Sequence, residues 1–198
     1  MSVLMEMTAY AMLAVFAQNL IFTSGVGAER SLRIKRSGKR ILVSALAVMI
    51  FSWVSMTGMY FIQQFSGQFP ILQEIRALVL VVLLAVVYMI VMIVAMRMKK
   101  YKMSTLVDTL PSAVFNSIVI MAGIVENMFR LTYVRAFGYA VGTGIGYLIA
   151  TVLIQEAIDD VGNPEMPPAF AGLPSLLLYI GMLAMAFVGF NGGPSVFL

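Results

Sequence analysis

Two asparagines, Asn19 and Asn116, sit in matching apolar settings. The first lies in Phe16-Ala17-Gln18-Asn19-Leu20-Ile21-Phe22-Thr23-Ser24-Gly25 and the second in Ala113-Val114-Phe115-Asn116-Ser117-Ile118-Val119-Ile120-Met121-Ala122. Each is an apolar run interrupted by Asn, followed by Ser or Thr and then Ala or Gly. An amide has both donors and an acceptor, so in lipid it must be paired within the protein. If a helix breaks beside it, the amide and the freed backbone groups can line a site for an ion or a polar solute. If the helix is unbroken, the same amide simply bonds a neighbouring helix and holds it. Both readings stay open for Asn19 and Asn116.

Asp108 and Glu126 are the acidic residues at the ends of the same second segment. Carboxylates inside a membrane often mark ion or proton paths. At a span end they more often reach back to water. Asp108 stands about two helical turns from Lys102, so a helix-end charge is the expected reading. No nucleophile–base pair is visible, because the chain has no His and no span carries a Lys to activate Ser or Thr. Cys is absent as well, so no cofactor is expected to be bound by cysteine or histidine, and haem, zinc and thiolate-ligated cluster chemistry have no ligands of the usual kind.

These residues must be positioned by membrane helices. Of the 198 residues, 61% are hydrophobic and only 11% charged, against about 25% charged in soluble domains; the mean hydropathy is +0.96. Six apolar segments stand out, near 4–24, 41–62, 77–96, 104–125, 136–155 and 173–191, each close to the roughly 20 residues that cross the hydrocarbon core. The segment holding Asp108, Pro111 and Asn116 is expected to be discontinuous. The net charge of +4 is no nucleic-acid signal, because the basic residues sit in short loops. The loop with Arg30, Arg33, Lys35, Arg36, Lys39 and Arg40, and the loop with Arg97, Lys99, Lys100 and Lys102, are expected in the cytoplasm, with the N-terminus outside. Glu156, Asp159, Asp160 and Glu165 then lie in a cytoplasmic loop without basic residues, a mild conflict with that rule. Met1 to Thr8 contain no Lys or Arg, so the first helix reads as retained rather than as a cleaved signal.

Three spans separate the two asparagines. An odd number of crossings inverts the second copy, giving a 3+3 inverted repeat with repeat one near 1–102 and repeat two near 103–198 in a single transmembrane domain. The expected fold is an all-α polytopic membrane protein of six transmembrane helices, with helices 1 and 4 interrupted. Gly138, Gly142 and Gly146 recur on one face of the fifth span, with Gly144 beside them, as a close-packing stripe. Gly142-Thr143-Gly144-Ile145-Gly146 has no strand before it and is not a phosphate loop. The basic run from Arg30 to Arg40 reads as a topology determinant, with anionic lipid as a second possible partner. The Pro164–Pro174 stretch is too stiff for helix, and the 17 Met read as adaptable packing.

The chain resembles the RnfA/NqrE group of membrane subunits of Rnf and Nqr ion-translocating electron-transport complexes. The likeness is strongest in Pro167-Pro168-Ala169-Phe170-Ala171-Gly172 and in Gly181-Met182-Leu183-Ala184-Met185-Ala186-Phe187-Val188-Gly189-Phe190-Asn191-Gly192. Asn19 and Gly27 match the family's first interrupted helix; Leu110-Pro111 and Asn116 match its second. The resemblance implies six helices in an inverted repeat, a homologous partner subunit within a larger complex of the cytoplasmic (inner) membrane, and no catalysis of its own. The family's two cluster cysteines correspond here to Glu29, or a residue close to it, and to Ser117, so the family's [2Fe–2S] cluster is not expected. Flavin is expected only through partner subunits. The site between the repeats is placed at Asn19, Gly25, Gly27, Asp108, Asn116 and Ser117. The alternative is the substrate-binding membrane component of a small-molecule (vitamin or flavin) transporter.

Overall fold

A computed structural model of the chain describes residues 3–34, 37–66, 71–97, 104–129, 131–161 and 172–191. All regular structure among them is helical. In order these are α1 (Val3–Met12), which runs on as a π-helical turn over Leu13–Ala17, α2 (Leu20–Ser24), α3 (Ala28–Arg33), α4 (Gly38–Ser66), α5 (Ile71–Glu74), α6 (Arg76–Arg97), α7 (Ser104–Val114), α8 (Ser117–Phe129), α9 (Tyr133–Asp160) and α10 (Leu173–Val188), closed by a 3-10 turn over Gly189–Asn191. Three helices are long and apolar enough to cross a membrane, within α4, α6 and α9; Val3–Ala17, Ser117–Glu126 and Leu173–Val188 are shorter apolar helices. The Pro164–Pro174 stretch lies outside the described residues up to Ala171; Pro174 itself sits in the first turn of α10, where its missing N–H costs no bond.

The centre of the bundle is α4 against α9. α4 also packs along α7 and α8, and α9 along α1 and the π turn. The buried side chains gather along these contacts, with Val48, Met56 and Met59 of α4, Val119 and Ala122 of α8, and Tyr139, Tyr147, Ala150 and Ile154 of α9. Small residues allow this proximity. A Cβ on Gly138 would meet the Met7 carbonyl and one on Gly142 the Ala11 carbonyl, both on α1, while one on Gly144 would meet Met49 of α4. The glycine stripe therefore lets α9 lie backbone to backbone on α1.

α6 and α10 lie at the periphery. α6 carries Val81, Val82, Val86, Met89, Ile90, Ile93 and Val94 exposed, and α10 carries Leu177, Leu178, Met182 and Met185 exposed. A helix apolar all round, with little of it buried, belongs against lipid. Each is anchored near a break by aromatic rings. Phe187 of α10 stacks on Phe22 of α2 with centroids 4.5 Å apart, and Tyr88 of α6 meets Phe115 at 5.5 Å.

Candidate functional site at the helix breaks

Both apolar runs that carry an asparagine break at that residue. In the first, the π turn carries the Gln18 N–H to the Leu13 carbonyl at 2.7 Å, and the helix then stops. Asn19 takes an extended backbone conformation and caps α2. Its Oδ1 accepts the Ile21 N–H at 3.1 Å and the Phe22 N–H at 3.4 Å. Its Nδ2 donates to the Val15 carbonyl at 3.0 Å and, across to α9, to the Gly146 carbonyl at 3.3 Å. One buried side chain thus joins the two halves of the broken helix and ties them to α9. α2 ends after Ser24 at Gly25, which has φ of 68°, and Gly27 starts α3 with φ of 84°; both lie in the left-handed region that glycine adopts without Cβ strain.

In the second run, Pro111 sits inside α7, and the helix stops after Val114. Asn116 then accepts the Ile118 N–H on its Oδ1 at 3.2 Å and starts α8. Its Nδ2 is buried without a hydrogen-bond partner among the described residues. The asparagines are therefore N-caps of the second half-helix, a role their short acceptor side chains suit. They are not equal: the first is satisfied on both ends of its amide and the second on one.

The two breaks touch. Asn19, Leu20 and Ile21 line a small cleft with Ile118, Ala14, Thr143, Gly146 and Tyr147. It is too narrow to admit a water molecule. A Cβ on Gly27 would collide with the Ile118 side chain and come within 2.9 Å of Asn116 Oδ1. Of the other residues placed at this site from the sequence, Gly25 has open space around it and Ser117 is exposed on the first turn of α8, so neither lines the cleft. Asp108 belongs to the backbone of α7, but its side chain lies outside the described residues.

The structure corrects one expectation. Glu126 does not reach out to water: it is 1% exposed, inside the protein. Its Oε2 accepts from Gln63 Nε2 of α4 at 3.2 Å, and its Oε1 has no hydrogen-bond partner among the described residues. A buried carboxylate oxygen left unpaired costs about 1–3 kcal/mol or more. Glu126→Met, which keeps the length and removes the polar atoms, is therefore expected to stabilise the isolated chain in detergent by about 1–2 kcal/mol. Chemical denaturation with a midpoint lower than wild type would show that the carboxylate is bonded in solution.

Residues that sequence reading did not place here are Gly146, Thr143 and Tyr147 of α9 and Ile118 of α8. The glycine stripe signalled a close approach in this region, but not that its last member would offer a carbonyl to Asn19.

A family model described as "Rnf-Nqr subunit, membrane protein" matches residues 7–193. The chain is 24% identical over 180 residues to one of the subunits of the ion-translocating oxidoreductase complex of Syntrophotalea carbinolica, covering 90% of this chain and 93% of that protein. It is 21% identical to one of the subunits of the Na(+)-translocating ferredoxin:NAD(+) oxidoreductase complex of Acetobacterium woodii, with the same coverage of 90% and 93%. Over 84 residues it is 31% identical to one of the subunits of the Na(+)-translocating NADH-quinone reductase of Shewanella denitrificans, covering 42% of this chain and 39% of that one. With the match running from the first helix to the last, this chain belongs to the Rnf-Nqr family of membrane subunits.

Proposed function

We propose that the chain is an integral membrane subunit of an Rnf/Nqr-type complex that couples electron transfer to ion translocation, and that it pairs there with a homologous subunit. The observation that carries this reading is the full-length family match, whose relatives are named as subunits of ion-translocating oxidoreductases. Its part is that of a scaffold of six spans in two inverted halves, in the cytoplasmic membrane, with the N-terminus outside. The pattern of contacts supports the repeat. α4 lies on α7 and α8 as α9 lies on α1 and the π turn; α6 reaches the second break through Tyr88–Phe115 as α10 reaches the first through Phe22–Phe187; and each break is capped by an asparagine.

The chain has no cysteine and so no thiolate to ligate an iron–sulfur cluster; on this reading such clusters sit in other subunits, and flavin belongs to the partners as well. Capture of a vitamin or flavin by this chain has less support, because the cleft between the breaks is closed even to water. The test is affinity purification of the tagged full-length chain from its native membranes. A second Rnf-Nqr-family subunit and flavin-bearing chains should come with it. Recovery alone, or with an ATPase and no redox subunit, would overturn the reading.

A further inference from the structure

The basic stretch after α2 does more in three dimensions than set topology. Arg30 and Arg33 of α3, Ile34 just after it, Arg40 and Ser44 of α4, and Thr109 and Ser112 of α7 line one open hollow of about 180 Å³. The Nε of Arg30 donates to the Ser112 carbonyl at 2.9 Å, which fixes its guanidinium in the wall. Arg33 stands at the rim, paired with Glu29 at 3.1 Å and with 72% of its side chain exposed. Arg40 lies in the first turn of α4, at the electropositive end of that 29-residue helix.

A topology signal needs basic residues in a loop; it does not need three guanidinium groups around a common space. Like charges held together repel, and an anion between them reverses the sign of that interaction. The Ser112 and Ser44 hydroxyls are already engaged, with the Thr109 carbonyl at 2.7 Å and the Tyr147 hydroxyl at 3.2 Å, so the guanidinium groups are what matches the oxygens of a phosphate group. We infer that this hollow is a phosphate-binding site at the end of the bundle where α3, α4 and α7 meet. If the N-terminus is outside, this end faces the cytoplasmic leaflet, where acidic phospholipids supply such groups and basic pockets between helices take up their head groups. The same chemistry would accept a soluble phosphate.

The test uses the purified full-length chain in mild detergent. Native mass spectrometry follows the retention of phosphatidylglycerol against phosphatidylcholine, and a parallel thermal melt is run with inorganic phosphate and with pyrophosphate. Phosphatidylglycerol should be retained preferentially, and Arg33→Gln/Arg40→Gln should lower that retention by about tenfold or more. Lys39→Gln removes one charge beside the hollow but outside its lining, and should lower retention less than Arg33→Gln alone, which also removes one. Should the double variant lose its helical circular dichroism, Arg33→Gln alone, at the exposed rim, keeps the test decisive. A melting shift with phosphate or pyrophosphate that the arginine variants abolish, without a lipid preference, assigns the site to a soluble ligand. Equal retention and equal melting in wild type and arginine variants, or as large a loss in Lys39→Gln, overturns it.

Discussion

Asn19→Leu is expected to destabilise the chain by about 2–4 kcal/mol, and Asn116→Leu by only about 1–2 kcal/mol. The two residues occupy corresponding places, so the difference must come from what each holds. The average hydrogen bond between side chains of membrane helices is worth well under 1 kcal/mol, because partners are also found before the helices assemble. Asn19 escapes that average because its partners are the backbone groups that the break itself exposes. Leucine would strand the Ile21 and Phe22 N–H groups that now reach its Oδ1, and the Gly146 carbonyl would lose the donor it has from the start of α2. Asn116 serves one N–H and keeps its Nδ2 unpaired, so part of its loss is offset by removing a buried donor without a partner. Denaturant titration of both variants in the same detergent checks the order. Equal losses, or a larger loss at Asn116, would mean that the breaks are held by something other than these caps.

This asymmetry bears on how much could be read without coordinates. The breaks themselves were legible, because an amide in an apolar run has few ways to be satisfied, and both helices stop there. The flanking residues were not. Gly25 and Ser117 lie within the asparagine-bearing segments in sequence, but only the capping side chain folds back on the helix start. The next residue points away, which leaves Ser117 exposed. Gly27, read from the sequence as part of the first interrupted helix, comes against the second break for a reason the sequence does not state: its left-handed φ and the Ile118 side chain both exclude a Cβ. Glu126 was misjudged because position along a span gives depth but not the face presented. Its partner, Gln63, is on another helix and far away in the chain, so no local pattern reports the pairing. The hollow around Arg30, Arg33 and Arg40 needed α7 to close it, and α7 is likewise remote in sequence.

Gly142→Leu is expected to cost about 3 kcal/mol or more, as much as the loss of the first cap, whereas Gly181→Leu should stay within about 0.5 kcal/mol. A Cβ at Gly142 meets the Ala11 carbonyl, with Ala11 Cα and Ala14 Cβ at 2.8 Å. These are backbone atoms and a methyl carbon on a helix, so no rotamer change makes room, and α1 must move off α9 as a body. A Cβ at Gly181 meets nothing within 4 Å. The displacement does not stop at the glycine. One turn further along α9, Gly146 offers its carbonyl to Asn19, so separating the helices also strips the first break of its bond across to α9. Gly142→Leu combined with Asn19→Leu should therefore cost less than the sum of the single changes by about 0.5–1 kcal/mol or more. A double-mutant cycle in detergent measures this coupling directly. Strict additivity would show that the glycine stripe and the broken helix are independent, and that α9 does not carry packing strain to the asparagine.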